Sequence, residues 1–353
     1  MNVGTPEYLK KRKRDWYILL MLFLLVPVFF LLDLFLGSVS IPADEVLNVL
    51  LGGEASKKSW TFILLDSRLP QSITALSAGA GLAMGGLMLQ SWFRNPLAGP
   101  DVLGISSGAM FGVALVVMGS QLFGWEFDAL NGYVWTLLSA GIGACAVLLL
   151  IVFISRISPQ PVTVIIAGLM IAYLIGALTN MLQHLSTRES LQQYVFWGFG
   201  SFSNLTLKQS LVFLLMTIGF AFSGLFFVKG LNSWILGESY ARSMGMETGK
   251  FRWKIILFSG LITATVTAFC GPIAFIGIAV PHLTRAWMKS ENHALLLPGV
   301  MVTGMLLALI CSLLTRLPIF EQALPLNAVT SIIGAPVVIW VILRQRHSKR
   351  SAV

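Results

Sequence analysis

The sequence predicts an all-α integral membrane protein, a polytopic bundle of ten helices, on three observations. Hydrophobic residues make up 56% of the 353 residues and charged residues only 11%, whereas a soluble domain carries about a quarter charged residues. The mean hydropathy is +0.82. Charge-free runs recur at 16–32, 69–93, 102–125, 129–155, 157–183, 190–207, 209–228, 255–281, 294–315 and 322–343. Most exceed the ~20 residues that cross about 30 Å of hydrocarbon as a helix. They do not alternate apolar and polar residues with period two, so they do not read as the strands of a transmembrane barrel.

The net charge of +9 does not point to nucleic acid, because the basic residues form no soluble, aromatic-interleaved patch. They gather at the ends of apolar runs. The block KKRKR (Lys10 to Arg14) precedes the first run and RQRHSKR (Arg344 to Arg350) follows the last, which places both termini in the cytoplasm and demands an even number of spans. The chain divides into a basic cytoplasmic segment 1–15, one transmembrane domain 16–343 and a basic cytoplasmic tail 344–353. Trp16 to Leu32 is longer than the apolar core of a secretory signal and is read as an uncleaved first helix. Cys145, Cys270 and Cys311 all lie within apolar runs and imply neither a disulfide framework nor a metal site.

The parity rule then orders the elements. The first helix (about 16–36) leaves the cytoplasm, and GSVSIPADEVLNVLLGGEASKKSW forms an external loop. Helix two (about 65–91) returns, which sets Arg94 and Asn95 at the inner surface. In RNPLAGPDVLGISSGA the two prolines turn the chain and Asp101 is placed to cap helix three (about 102–120). Helix four (about 131–155) comes in to Arg156, and helix five (about 161–183) goes out. The segment from Gln183 to Asn204 is too polar and glycine-broken for a span and reads as a short external or re-entrant helix.

Helix six (about 206–228) leads to a charged cytoplasmic loop at about 229–254, in which Gly237 and Gly245 allow sharp turns between short amphipathic helices. As a single helix, 255–288 would run about 50 Å, so Gly271-Pro272 is the expected break between helices seven and eight. Helices nine (about 294–315) and ten (about 326–343) complete the ten. Helices two to five and seven to ten then form four-helix units that start from opposite sides, the inverted-repeat arrangement common in transporters.

Little of this carries chemistry. Gly, Ala and Ser in SAGAGLAMGG (Ser77 to Gly86) and SAGIGACA (Ser139 to Ala146) fit close helix packing or a pathway wall. His282 and Arg285 read as anchors at the inner headgroups. GMETGKF is one residue short of a phosphate-binding loop and has Phe251 where Ser or Thr would meet magnesium. No catalytic constellation stands out, and the helices show no buried acid of the kind a proton- or sodium-coupled carrier needs. Active transport would therefore draw energy from another polypeptide; a stand-alone carrier or channel is the alternative that hydropathy leaves open.

Four ordered segments, RLPQSITALSAGAGLAMGGLMLQSWFRNPLAGPDVLGISSGA (Arg68 to Ala109), LGESYARSMGM (Leu236 to Met246), GPIAFIGIAVPHLTR (Gly271 to Arg285) and LPLNAVTSIIGAPVVIWVILR (Leu324 to Arg344), resemble the FecCD family of ABC-transporter permeases. The resemblance implies the ten-helix fold of a type II ABC importer permease in a bacterial cytoplasmic (inner) membrane. It implies a second permease copy, two ABC ATPase subunits that hold ATP and magnesium, a periplasmic or lipoprotein substrate-binding protein, and cargo among ferric siderophores, haem and vitamin B12. No cofactor is expected to be bound covalently, and no nucleic acid or enzymatic activity is expected. The cytoplasmic gate would include Asn95, Pro96, Leu97, Pro161 and Thr163; the ATPase coupling loop Leu236, Gly237, Glu238, Ala241, Met244 and Gly245; and the binding-protein docking charges Arg68 and Arg316. Gln71 stands where many members carry a second arginine, so docking would use fewer ion pairs here.

Overall fold

Most apolar residues of this chain have no water to escape from once in lipid, so packing and hydrogen bonding decide where each helix goes. A computed structural model describes residues 6–119, 132–158, 160–317 and 322–350, all helix or connecting turns in those ranges. The expected connection between helices three and four falls mostly outside the described residues, as do 318–321 of the loop after helix nine and the last residues of the basic tail.

The first helix, α1 (Pro6–Phe35), starts before the basic block and includes it, instead of starting after it. The expected external loop contains a short helix, α2 (Ala43–Leu50), with Asp44 and Glu45 in its first turn and Val46 and Val49 buried; acids at a helix start suit its dipole. Next, α3 (Lys58–Phe62) passes through a π-helical turn, Ile63–Arg68, into α4 (Leu69–Phe93). The resulting 36-residue helix begins well before the expected residue 65.

The chain continues through α5 (Ile105–Val117), α6 (Gly132–Ile157), α7 (Pro161–Leu185), α8 (Arg188–Gly198) and α9 (Leu207–Leu225). Two short helices, α10 (Val228–Ile235) and α11 (Glu238–Ser243), precede α12 (Thr248–Cys270), α13 (Ile276–Met288), α14 (His293–Thr315) and α15 (Leu326–Arg350). Among the described residues seven helices, α1, α3–α4, α6, α7, α9, α12 and α14, are long and apolar enough to cross a membrane. With the shorter α5, α13 and α15 they make up the ten expected spans.

The shortness of α5 and α13 has one sequence cause. Each has 13 residues, about 20 Å of helix, and each follows a Gly-Pro step, Gly99-Pro100 or Gly271-Pro272. Proline supplies no N–H to a preceding turn, so the chain crosses part of the membrane depth as a turn or extended segment. Asn327 holds the second break: its Nδ2 donates to the Pro272 carbonyl at 2.8 Å and to the Gly198 carbonyl at 3.1 Å, and its Oδ1 accepts from Ala274 N at 3.0 Å. That satisfies non-helical backbone groups where lipid offers no partner.

The same pairings occur in both halves. In one, α5 packs on α6 and α7; in the other, α13 packs on α14 and α15; across them α4 packs on α14, and α12 on α6. Because α4 starts at the Arg68 end of the bundle and α12 at the Arg94 end, the two four-helix units are inverted. The centre is α4, whose apolar window is 94% buried, against 17% for the peripheral α1.

Close approach explains the small residues of α4. A β-carbon on Gly79 would overlap the Gly304 carbonyl of α14, and one on Gly86 would overlap the Gly277 carbonyl of α13. Of the two roles open to the Ser77–Gly86 stripe, helix packing is the one these glycines fill. Gly79→Leu is therefore expected to abolish recovery of monodisperse protein in detergent, while Gly219→Leu, where a β-carbon meets open space, leaves the size-exclusion profile unchanged.

Candidate functional site

At the Arg94 end a compact element hangs beneath the bundle. Gly237, at φ 125° and ψ 152°, separates α10 from α11, and Gly245, at φ 81°, ends the second turn. Both are backbone conformations that side-chain-bearing residues rarely adopt. Leu231, Trp234 and Ala241 turn inward and are buried. Leu236 at 66% exposure, Tyr240 at 45% and Met244 at 64% point away from the bundle at four-residue spacing. They form a small apolar face. Glu238 and Arg242 pair at 2.6 Å across one helical turn, an exposed pair worth about 0.3–0.5 kcal/mol. The structure thus gathers Leu236, Gly237, Glu238, Ala241, Met244 and Gly245 into one element, with Ala241 as its inward contact and Tyr240 as an exposed residue the sequence reasoning missed. The Leu236 to Met244 spacing could have revealed it.

This element is bound rigidly to the end of α4. Trp234 stacks on Trp92 with centroids 4.0 Å apart and planes at 19°, and its Nε1–H donates to the Trp92 carbonyl at 3.0 Å. The Arg94 guanidinium lies 4.9 Å over the Trp234 ring and donates to the Trp234 carbonyl at 2.6 Å. A second link runs through α14. Asn232 Oδ1 accepts from the His293 backbone N–H at 2.8 Å and meets His293 Nδ1 at 3.0 Å. The ring proton therefore sits on Nδ1, and Nε2 accepts from the Ser91 hydroxyl at 2.7 Å.

Beyond Phe93 the chain turns sharply. Arg94 closes α4 in the left-handed region at φ 47°, and Asn95 Oδ1 accepts from Leu97 N at 2.9 Å, a side-chain turn that asparagine favours. Leu97 is exposed. His282 Nε2 bonds the Pro96 carbonyl at 2.8 Å, and Arg285 donates to Gln90 Oε1 at 2.8 Å. His282 is only 5% exposed, so these two residues are not the headgroup anchors that the sequence predicts; His282 holds α13 to the turn and Arg285 holds it to the last turn of α4. Asp101 does not cap the next helix. It accepts from the Ser106 hydroxyl at 2.9 Å, and Gly104 in left-handed geometry precedes α5. Pro161 opens α7 with Thr163 two residues on, at the same end of the bundle. The helix joins the turn region through Gly168, packed against Val102 and Leu103.

The Arg68 end differs from expectation. Arg68 is 3% exposed and donates to the carbonyls of Leu34 at 2.7 Å, Phe35 at 3.0 Å and Val39, which would otherwise be unsatisfied at the end of α1. Arg316 pairs at 2.5 Å with Asp33, a fully buried carboxylate that also accepts from Ser72 at 2.6 Å and Ser312 at 3.2 Å. The two arginines are tied into the chain rather than presented as free outer charges. Asp33 corrects the expectation of no buried acid. The sequence hid it because Asp33 lies at the edge of an apolar run with its partner 283 residues away. An aspartate held by an arginine and two hydroxyls is a structural clamp whose charge is already compensated.

Over residues 23–344 the sequence matches the FecCD transport family. The chain belongs to that family. It is 31% identical to the hemin transport permease HmuU of Yersinia pestis, covering 90% of this chain and 94% of the relative. It is 32% identical to the vitamin B12 import permease BtuC of Klebsiella pneumoniae, covering 96% of both. With the molybdate import permease MolB of Haemophilus influenzae the identity is 33%, over 78% of this chain and 79% of the relative. A solved inward-facing structure of a metal-chelate type ABC transporter superposes with a TM-score of 0.79 at 29% identity, covering 93% of this chain and 99% of the other. The FecCD chain is thus a permease subunit of an ABC importer. Replacing Trp234 by alanine removes the stack and the indole bond, a change typically worth about 3–5 kcal/mol in a packed core. Faster hydrogen exchange is expected in α10 and α11 with exchange in α14 unchanged.

Proposed function

We propose that this FecCD permease works as a homodimer with two ATPase subunits. In this reading it passes an iron chelate, a ferric siderophore or haem, or a corrinoid such as vitamin B12, from a substrate-binding protein to the cytoplasm by alternating access. The observation that supports this most is the α10–α11 element: a small exposed apolar face, shaped by positive-φ glycines before and after α11 and stacked through Trp234 on the last turn of α4. An ATPase that moves this element moves the Asn95-Pro96-Leu97 turn with it, because Trp92, Arg94 and the turn are consecutive in sequence and bonded to Trp234. The turn, with Pro161 and Thr163, is the proposed inner gate.

The Arg94 end is taken as cytoplasmic, with both termini on that side. Arg14, which donates to the Met288 carbonyl at 3.1 Å, Arg94, Arg156 and Arg285 all lie there, as the positive-inside rule requires. A binding protein would dock at the opposite end, where Arg68 and Arg316 keep the outer ends of α1, α4 and α14 together beneath it. Relatives named for hemin, vitamin B12 and molybdate share similar identity with this chain, which supports a reading in which the binding protein selects the cargo more than the permease does.

Reconstitution into liposomes with the partner ATPase and binding protein, followed by uptake of labelled ferric siderophore, haem and cobalamin, tests this reading. ATP-dependent accumulation of one of them is expected. Gly245→Trp, at a positive-φ position with open space outside, is expected to abolish ATPase association with no change in the size-exclusion profile of the permease. Retained association would show that the coupling element lies elsewhere.

A further inference from the structure

A basic recess lies beside the coupling element and outside it, where α6 ends and α12 begins. Arg156, Glu247, Gly249, Lys250, Arg252 and Trp253 line an open cavity of about 560 Å³. Three cations face one carboxylate, and that carboxylate, Glu247, is already engaged by Lys250 at 2.7 Å. Among the described residues no carboxylate pairs with Arg156 or Arg252. Arg156 lies 4.8 Å over the Trp253 ring. Arg252 makes one long bond, 3.4 Å, to the Ser158 carbonyl, and its buried Nε meets no acceptor among the described residues. The first turn of the 23-residue α12 opens into the same recess without a side-chain cap, so its N–H groups add donors that favour an anion.

We propose that this recess holds the phosphate of an anionic phospholipid headgroup. Arg156 and Arg252 have the unfilled donors that phosphate oxygens satisfy in charge-assisted bonds, and Lys250 adds a flexible third cation. The neighbouring surface favours a lipid over a free anion. Leu149 and Phe153, 62% and 60% exposed, precede Arg156 at seven and three residues, so all three share one face of α6. That face runs from the recess into the membrane depth and gives an acyl chain an apolar track below its headgroup. Trp253 sits at the level where indole rings concentrate at membrane interfaces. A bound phosphate would fasten Ser158, in the connection before α7, to the start of α12.

Native mass spectrometry of the full-length permease in mild detergent tests the site, with phosphatidylglycerol, cardiolipin or phosphatidylcholine added, each with and without inorganic phosphate. One retained anionic lipid per chain is expected, with little phosphatidylcholine. Retention should fall about tenfold in an Arg156→Gln/Arg252→Gln double variant and about threefold in Lys250→Gln, the scale of charge-assisted phosphate contacts. Lys208→Gln, on a different helix, should leave it unchanged. Displacement of the lipid by millimolar phosphate would support the phosphate site while identifying the free anion as an equal source. Equal lipid retention by wild type and the variants would overturn the proposal. Retained lipid with lost ATPase association would also overturn it, assigning the cluster to that interface. If the double variant fails to yield monodisperse protein, Lys250→Gln and the phosphate competition read the same question.

Discussion

The rest of the structure depends on the backbone-to-backbone seating of α4 between α14 and α13, at Gly79 against Gly304 and Gly86 against Gly277. In lipid, helices gain nothing from hiding apolar surface from one another; close van der Waals contact and internal hydrogen bonds must hold them. Backbone contact of this kind needs glycine at the crossing points, which Gly79 and Gly86 supply, while Leu82, Met84 and Leu87 fill the core around them. This packing seats α4 against both neighbours at backbone distance. Whatever happens at one of its ends is felt by the residues clamped there.

The ends are clamped by unlike chemistry. At one, Arg68 satisfies the last carbonyls of α1, and the Asp33–Arg316 pair joins α1 to α14. At the other, aromatic stacking and a neutral histidine chain join α4 to α10. The first is a buried charge arrangement whose disruption would strand an ion in low dielectric. The second holds α10 to α4 through stacked rings and hydrogen bonds, the firm link that the proposed transmission of movement requires. The asymmetry fits one fixed end and one driven end.

Much of this was legible in the sequence. Apolar run lengths and charge placement returned ten spans, Gly271-Pro272 marked the break before α13, and Gly237 and Gly245 marked the turns on either side of α11. What remained hidden involved residues far apart in the chain. Asp33 reads as a loop edge until Arg316 is seen beside it, and His282 reads as a headgroup anchor until the Pro96 carbonyl is found at its ring. The stack of Trp92 on Trp234 spans 142 residues, and hydropathy shows only two apolar aromatics. The helix α2 was masked by its own polarity: about two amphipathic turns among charged residues have no run length to detect.

The central claim is that Trp234 carries movement from the coupling element to the gate turn at the end of α4. Its most direct test is cargo uptake per ATP hydrolysed by the reconstituted complex bearing Trp234→Leu, a change that keeps an apolar side chain but removes the stack and the indole donor. ATPase binding and hydrolysis should persist while uptake per ATP falls about tenfold, within the roughly 1–3 kcal/mol typical of coupling between sites. Uptake per ATP equal to that of the unaltered chain would contradict the claim.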